Sequence, residues 1–360
     1  MTSKTYRVGI VGLSGRIAVG APDPAPRPLQ NEINNSHTYC LSLTAGVDIV
    51  GVCDLVPELL DGFQRRWGDR WPNAKPYTDY REMLEKEGLD ILSVVTGDDK
   101  HADIAVDGVE AGVKGLFVEK PLATTLADAD RILDACEKRG VPISVGHIQR
   151  WMQPYHAVRE TIRMGDIGPL HNIIAVLGGP RAMLFRNGTH TLDGICFFAE
   201  SDPIQVFARL EDGFEDWDKY KGDGGKLPMN DPGVSGFIMF RNGIRAYFSA
   251  NKNTITGSTY EIAGPKGKIL FDRGAGLADL LQADGPRETK RHRLRLGRTP
   301  YYGGDFEIVS YVAAYVELVG LIENGGQGVS TGREARKAVQ IMTGFLKSQQ
   351  AGSALVDVDD

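Results

Sequence analysis

Residues 117–133, FVEKPLATTLADADRIL, join an apolar strand-like run to a run with the spacing of an amphipathic helix. The same strand-then-helix step recurs through residues 1–147, where short apolar runs alternate with helical patterns. These runs are Tyr6–Gly12, Asp48–Cys53, Ile91–Thr96, Gly115–Val118 and Ile143–Gly146. Strands separated by single helices are typical of βαβ units. The sequence therefore predicts a doubly wound parallel sheet over residues 1–147, with ligands at the carboxyl ends of its strands.

The periodicity changes after residue 147, and segments with a period of two dominate. They are His171–Leu177, Ile204–Leu210, Ser235–Phe240, Ile244–Ala250, Thr259–Ala263 and Lys268–Phe271. Asn242–Gly243 stands between two of them, which predicts a tight hairpin. We therefore expect residues 148–360 to form an α+β domain with a largely antiparallel sheet, one face of it open to a partner subunit. Two late helices, Asp305–Glu323 and Arg333–Gln349, are expected to pack back on the first domain.

Composition and charge exclude several classes of protein. The net charge of −6 and the scattered basic residues give no sign of a nucleic-acid partner. One basic run, Lys290–Arg298, has strand-like alternation and is interpreted as a solvated sheet face, with anion binding as the alternative. The chain shows neither a signal peptide nor an apolar run of ~20 residues that could span a membrane. We expect a cytoplasmic protein with reduced cysteines and, because no ligand cluster has metal spacing, no metal.

The stretch YRVGIVGLSGRIA, residues 6–18, has the context of a dinucleotide-binding turn. A strand leads into a glycine turn, which lets the backbone approach a pyrophosphate. Of the pattern G-x-G-x-x-G only the first glycine, Gly12, is present. Ser14, Gly15 and Arg16 complete the predicted cofactor contacts of this turn. A plain strand and turn would explain the segment about as well.

Asp54 ends the second strand, where a carboxylate can bond the ribose hydroxyls of NAD and repel the 2′-phosphate of NADP. Its distance from the turn is about twice the usual ~20 residues. A proline-rich insert, Ala18–Asn35, accounts for the excess, and Ser36 then provides an N-cap for the delayed helix. We therefore predict a Rossmann domain that prefers NAD and whose insert lies near the cofactor. The alternative is that Asp54 only caps the next helix.

Several segments together resemble the Gfo/Idh/MocA oxidoreductase family: Thr96–Gly97 followed by His101, then GLFVEKPLATT, VGHIQRW, GTHTLD and GREARKAV. The resemblance implies that Lys120 lies beside the nicotinamide and contacts the reacting hydroxyl. A cation there stabilises developing alkoxide charge. The remaining cofactor contacts that it implies are Thr96, Gly97, Asp98, His101, Glu119 and Gln149. The rival interpretation is a solvated charge pair with Pro121 at a helix start.

The resemblance also supplies the second half of the site. It implies His190 as the proton acceptor, with Asp193 one helical turn later, and a histidine suits this role near neutral pH. The family's aspartate four residues before the histidine is Arg186 here, so orienting His190 falls to Asp193 or another group. The rival interpretation is that His190 is a buried residue capping a helix.

Three arginines are candidates for contacts with the substrate. Arg150 matches a family arginine, and Arg181 and Arg186 flank the predicted substrate helix, where they could bind an anionic group. Ion pairs of the latter two with Asp193, Glu200 or Asp202 are the alternative. In the glycine-rich loop 216–233, no pattern singles out one of Tyr220, Lys221 and Asp231 as a substrate contact.

The function implied by the resemblance is NAD-dependent oxidation of a secondary hydroxyl of a sugar, cyclitol or sugar derivative, in a homo-oligomer (a dimer or tetramer) built through the C-terminal sheet. Two alternatives stay open. Some relatives hold NAD tightly and hydrolyse glycosides by transient oxidation at C3, elimination and re-reduction. A non-catalytic protein that binds NAD as a regulatory ligand is the other, although Lys120 and His190 are not needed merely to hold a cofactor.

Overall fold

The computed structural model describes residues 4–14, 36–294 and 305–358, except 216, 218–219, 221, 223–226 and 286–287. These residues form two compact units. The first lies within Met1–Ala123, Ala127–Trp151 and Gly303–Arg333, and the second within Thr124–Leu126, Met152–Tyr302 and Glu334–Asp360.

The strands are β1 (Tyr6–Val11), β2 (Val47–Cys53), β3 (Lys75–Tyr77), β4 (Ile91–Val94), β5 (Gly115–Val118), β6 (Ile143–Val145), β7 (Asn172–Gly178), β8 (Pro203–Leu210), β9 (Val234–Phe240), β10 (Arg245–Asn251), β11 (Gly257–Gly264), β12 (Gly267–Asp272), β13 (Leu277–Ala283), β14 (Thr289–Arg293) and β15 (Val356–Asp357). The helices are α1 (His37–Leu43), α2 (Pro57–Trp67), α3 (Tyr80–Glu87), α4 (His101–Glu110), α5 (Leu126–Arg139), α6 (Gln153–Arg163), α7 (Thr189–Ala199), α8 (Asp305–Asn324) and α9 (Gly332–Gln350).

Unit 1 contains a six-stranded parallel sheet in the order β3-β2-β1-β4-β5-β6. The order reverses between β1 and β4, which creates a crevice at their carboxyl ends. Its central strands are buried on both faces, as strands covered by helices must be. The predicted doubly wound sheet is confirmed.

Local signals set several helix starts in unit 1. The hydroxyl of Ser36 accepts a hydrogen bond from Tyr39 N at 3.1 Å and caps α1, as the sequence predicts. Asp79 caps α3 in the same way. By contrast, α5 begins at Leu126, so Pro121 does not occupy the first turn of a helix. The interpretation of Glu119–Pro121 as a charge pair at a helix start is therefore wrong.

Unit 2 contains a nine-stranded sheet in the order β14-β13-β12-β11-β7-β10-β9-β8-β15. All neighbours are antiparallel except β7 and β10, which confirms a largely antiparallel sheet. The Asn242–Gly243 hairpin joins β9 to β10, with Gly243 at φ +86°, a conformation that favours glycine. One face of the sheet packs against helices around an aromatic core containing Tyr155, Phe198 and Phe271.

The lysine and the two arginines of the basic run that the structure describes each pair with a carboxylate. In β14 the side chains of Arg291 and Arg293 both pair with Asp279, and Lys290 pairs with Asp284 at 2.7 Å. Hydrogen bonds from Arg291 and Arg293 lower the pKa of Asp279. This geometry is that of a solvated sheet face, whereas Arg295–Arg298 lie outside the described residues. None of the described helices is long and apolar enough to cross a membrane.

Candidate active site

The turn after β1 is held tightly against the end of β4. Gly12 has φ +95°, and a Cβ placed on it would lie 2.5 Å from the carbonyl oxygen of Val95. Its N–H donates to Cys53 O at 2.8 Å, which extends the sheet beyond β1. Only glycine fits this position. Ser14 follows in an exposed position, whereas Gly15, Arg16 and the insert Ala18–Asn35 lie outside the described residues.

The carboxylate of Asp54, at the carboxyl end of β2, is bonded directly to the backbone of this turn. Its Oδ2 accepts a hydrogen bond from Leu13 N at 2.7 Å, and its Oδ1 accepts one from Val56 N at 3.0 Å. Val56 is the N-cap residue of α2, so the helix-start contact that the alternative interpretation expects is also present. The carboxylate remains half-exposed, and each oxygen keeps acceptor capacity for a ligand.

The loop after β4 brings the next group of candidates to the same edge. Thr96 and Gly97 are half-exposed, and Asp98 is buried in a short 3₁₀ turn. His101 is fully buried at the first residue of α4, and its side chain does not cap that helix. Because a carbonyl can only accept, the His101 Nδ1 must donate to Pro121 O at 2.8 Å. The contact joins this loop to the segment after β5.

Glu119 is buried directly after β5 and receives hydrogen bonds from distant parts of unit 1. Its Oε1 lies 2.9 Å from His37 Nε2 and 2.7 Å from the Tyr311 hydroxyl. Burial alone would raise the pKa of Glu119. The contacts with His37, the charge of Lys120 and the hydrogen bond from Tyr311 together outweigh burial and lower the pKa to about 2. Glu119 is therefore an ionised carboxylate.

Lys120 is half-buried beside this carboxylate, and its backbone N–H donates to Glu119 Oε2 at 3.1 Å. At the end of β6, Gly146 N donates to Val118 O at 2.8 Å, which keeps the two strand ends together. Gln149 and Arg150 follow in a buried 3₁₀ turn, where the Arg150 guanidinium donates to Val329 O at 3.3 Å. Every described unit 1 candidate thus lies in a segment that follows the carboxyl end of β1, β2, β4, β5 or β6.

These residues fit a dinucleotide. The turn at Gly12 brings backbone close to the crevice, and the half-exposed Asp54 offers a carboxylate to ribose hydroxyls. His101 Nε2 is buried without a hydrogen-bond partner among the described residues, although buried polar atoms are nearly always paired. A ligand at the carboxyl edge of the sheet would account for it.

In unit 2 the candidates lie on one short stretch. A π-helical turn, Leu184–Gly188, runs into α7, which carries His190 and Asp193 three residues apart. π-turns inside helices are frequent at functional sites. His190 is half-buried and Asp193 is fully buried. The N-cap of α7 is Gly188, and His190 is the second residue of the helix rather than its cap residue.

Both candidate arginines of unit 2 precede α7. Arg181 is exposed before the π-turn, and Arg186 is half-buried within it. Two of the carboxylates considered as their partners are paired with other cations: Glu200 with Arg163, and Asp202 with Lys337 at 3.1 Å.

Sequence reasoning missed the role of Asp231. This side chain is fully buried, and its two oxygens accept hydrogen bonds from Phe185 N at 3.0 Å and Arg186 N at 2.8 Å. Tyr220 stacks on Phe185 with ring centroids 4.1 Å apart. Both residues therefore hold the π-turn that precedes His190. A buried carboxylate in a glycine-rich loop could have suggested a structural anchor, but its partners are 45 residues away. Lys221 lies outside the described residues.

The part of the chain that the structure describes contains no group of three metal-ligating side chains placed to hold a metal ion. All four cysteines are buried, and none of them forms a disulfide bond. Burial raises the pKa of Cys40, Cys53 and Cys136 to about 12, so these thiols are not poised as nucleophiles.

Comparison with known proteins finds likenesses to one family of oxidoreductases. Residues 6–147 match the model of the Gfo/Idh/MocA oxidoreductases, described as an oxidoreductase family with an NAD-binding Rossmann fold. Inositol 2-dehydrogenase of Salmonella paratyphi B is 32% identical over 139 residues, 38% of this chain and 40% of that protein. Myo-inositol 2-dehydrogenase of Thermotoga maritima is 24% identical over 283 residues, 74% of this chain and 75% of that protein. The chain thus spans less than half the length of the Salmonella relative.

Solved structures extend the likeness of the fold to the whole chain. Levoglucosan dehydrogenase, in complex with NADH and L-sorbose, superposes with a TM-score of 0.75 at 19% identity, covering 98% of this chain and 99% of that one. At this identity the likeness shows the fold alone.

Proposed function

We propose that this chain, whose residues 6–147 match the Gfo/Idh/MocA family of NAD-binding oxidoreductases, oxidises a secondary hydroxyl of a sugar or cyclitol. The observation that carries the proposal is the Glu119–Lys120 pair after β5. The backbone N–H of Lys120 donates to the buried Glu119 carboxylate, and the charge of Lys120 lowers the pKa of that group, at the edge where a dinucleotide would bind. The related proteins named for inositol point to cyclitols and similar polyols as the substrate class.

NAD would be held by the turn at Gly12, by Asp54 and by the loop from Thr96 to His101. When bound, the nicotinamide supplies an acceptor for the hydride that leaves the carbinol carbon. Lys120 polarises the hydroxyl and stabilises its developing negative charge. His190 takes the hydroxyl proton, and Asp193 supports His190 from the same helix. The C–H and O–H bonds break as the C=O double bond forms, so one hydride and one proton leave the substrate.

The first test is a panel of cyclitols, aldoses and glycosides, followed by NADH absorbance together with release of any aglycone. NADH accumulation with polyols supports the proposal. Aglycone release without NADH, from enzyme that keeps NAD through purification, would instead identify a redox-neutral glycosidase. Tight NAD binding with neither reaction would point to a regulatory ligand.

Cofactor preference should depend on Asp54. The wild type should bind NAD at least about tenfold more tightly than NADP, because the carboxylate repels a 2′-phosphate. Asp54→Asn keeps an oxygen that can accept one backbone N–H but loses the negative charge. The ratio of the dissociation constants for NADP and NAD should therefore fall. Titration of both cofactors by calorimetry checks this. Asp90→Asn is the matched control, because Asp90 also accepts a backbone N–H, from Arg7 at 2.9 Å, but precedes β4. An unchanged preference in Asp54→Asn would contradict the assignment.

We also propose that two copies pair through the open face of the unit 2 sheet. This face exposes a row of large apolar side chains on neighbouring strands, each more than 40% accessible: Ile174, Val176, Phe207 and Tyr247. Phe237 stacks on Phe207 with ring centroids 5.3 Å apart and completes the row. Contiguous apolar patches of this kind mark interaction sites.

Phe207→Glu should therefore dissociate the oligomer. A buried, unpaired carboxylate at an interface is strongly unfavourable, so the mass measured by light scattering should fall to that of a smaller species. Ile255→Glu serves as the control, because Ile255 is 90% exposed and is not part of the row. A wild-type protein that is monomeric at micromolar concentration would refute the pairing.

A further inference from the structure

A buried hydrogen-bonded chain in unit 1 continues beyond Glu119. His37 Nδ1 lies 2.8 Å from the Tyr315 hydroxyl, which lies 2.7 Å from Ser93 Oγ. His37, Tyr315 and Ser93 are all fully buried. Because the ionised Glu119 can only accept, the Nε2 of His37 must carry the proton that it shares with Glu119. This series of hydrogen bonds therefore runs from β4, through α8 and α1, to the carboxylate beside Lys120.

The carboxylate of Glu119 is fixed from several sides. His37 and Tyr311 both donate to Oε1, and Lys120 N donates to Oε2. On a further side, a Cβ added to Gly146 would meet the carboxyl carbon and Oε1 at 3.0 Å. The position of this group is therefore set by α1, α8 and β6 together. Through Glu119, the same contacts fix the backbone at Lys120.

We propose that His37 and Tyr311 are positioning residues, which hold Glu119 and thereby place the Lys120 ammonium for hydride transfer. The inference rests on the proposed catalytic role of Lys120. Preorganised electrostatic groups lose much of their effect when they are displaced by about 1 Å. Loosening Glu119 should therefore slow the chemical step without removing any group that contacts NAD or substrate.

The chain supplies a matched control in the same unit. Glu87 is also buried and also accepts a hydrogen bond from a tyrosine hydroxyl, that of Tyr77, as well as from Lys75 Nζ at 2.9 Å. Glu87 is the last residue of α3 and does not lie in the segment after β5. Tyr77→Phe and Tyr311→Phe each remove one hydroxyl donor from one buried glutamate, so both should lower the melting temperature by similar amounts.

Only Tyr311→Phe should slow single-turnover hydride transfer, by about tenfold, with kcat reduced, KM unchanged and NAD affinity within about twofold of wild type. Tyr77→Phe should transfer hydride at the wild-type rate. Equal rates of hydride transfer in the two variants would show that the hydrogen bond from Tyr311 serves stability alone, and would overturn the proposal.

His37 offers a test by conservative rescue. The amide nitrogen of His37→Gln can donate from near the position of Nε2, whereas His37→Leu has no donor. We expect His37→Leu to slow hydride transfer by about 10²-fold and His37→Gln to recover at least about tenfold of that loss. The absence of any difference between the two variants would contradict a positioning role.

A readout that does not depend on turnover separates this inference from the proposed function. Lysines carrying ¹³C-methyl groups give NMR signals, and the signal of Lys120 is identified by its loss in Lys120→Arg. It should shift in Tyr311→Phe and stay unchanged in Tyr77→Phe. Suppose that the Lys120 signal shifts while Lys120→Ala retains wild-type hydride transfer. Then Lys120 has no catalytic role, and the hydrogen bonds through His37 and Tyr311 do not serve catalysis. If Lys120→Ala is slow and the signal does not move in Tyr311→Phe, only the positioning role is refuted.

Discussion

Lys120→Ala should bind NAD about as tightly as the wild type and yet transfer hydride about 10²–10³-fold more slowly, the usual effect of removing one preorganised electrostatic donor. The physical reason lies in its position. The Lys120 backbone N–H is bonded to the ionised Glu119, directly beyond the last residue of β5. Truncation removes the ammonium and leaves the carboxylate with its contacts to His37 and Tyr311.

Single-turnover mixing of NAD-loaded enzyme with substrate measures this step apart from product release. Lys114→Ala is the control, since Lys114 is an exposed lysine of the same unit that pairs with Asp90. The control should react at the wild-type rate. A fast Lys120→Ala variant would show that the Glu119–Lys120 segment serves folding and not chemistry.

His190→Ala should transfer hydride about 10²–10⁴-fold more slowly than the wild type, which is the range for loss of a positioned general base. Its rate should recover in part as the pH rises, because solvent hydroxide can then take the proton. His171→Ala, which truncates an exposed histidine of the same unit, should show neither effect. A His190→Ala variant without this recovery at high pH would contradict the role of His190 as proton acceptor.

Because Lys120 and His190 would act on the same hydroxyl, their losses should not multiply. The double variant should be faster than the product of the two single effects predicts. Strictly multiplicative losses would indicate that the two residues serve independent steps.

The sequence predicted unit 1 well because its signals are local. Apolar runs, a glycine turn at Gly12 and an N-cap at Ser36 each follow from a few neighbouring residues. The carboxyl edge of a parallel sheet then brings together whatever follows each strand. Asp54 could therefore be predicted from its place after β2, whereas His101 and Lys120 were implied by the family resemblance.

Other features depend on tertiary contacts and left no local pattern. β13, with the sequence LADLLQA, contains no β-branched residue, and it is a strand because it pairs with β12 and β14. The parallel pairing of β7 with β10 crosses two intervening strands and α7, which no hairpin signal predicts. The bond between His37 and Glu119 joins residues 82 positions apart. Such long-range polar contacts are decided by the fold and not by spacing.

The structure separates the two alternative interpretations of the unit 1 candidates, a charge pair at a helix start and a helix-capping role for Asp54. A charge pair at a helix start is excluded, because α5 begins at Leu126, five residues after Pro121. The contact of Asp54 with the start of α2 is real, but the same carboxylate also bonds the backbone of Leu13 in the glycine turn. Asp54 therefore links the two segments that would enclose the dinucleotide.

The proposed function requires that hydride pass from a carbinol carbon of a polyol to NAD. Deuterium can be followed from a substrate that is found in the panel of cyclitols and sugars and is labelled at its reacting carbon. We expect deuterium to appear in NADH at C4 of the nicotinamide as ketone forms in equal amount, and Lys120→Ala to slow both together. Unlabelled NADH, or turnover of the labelled compound with no net reduction of NAD, would contradict the proposed function.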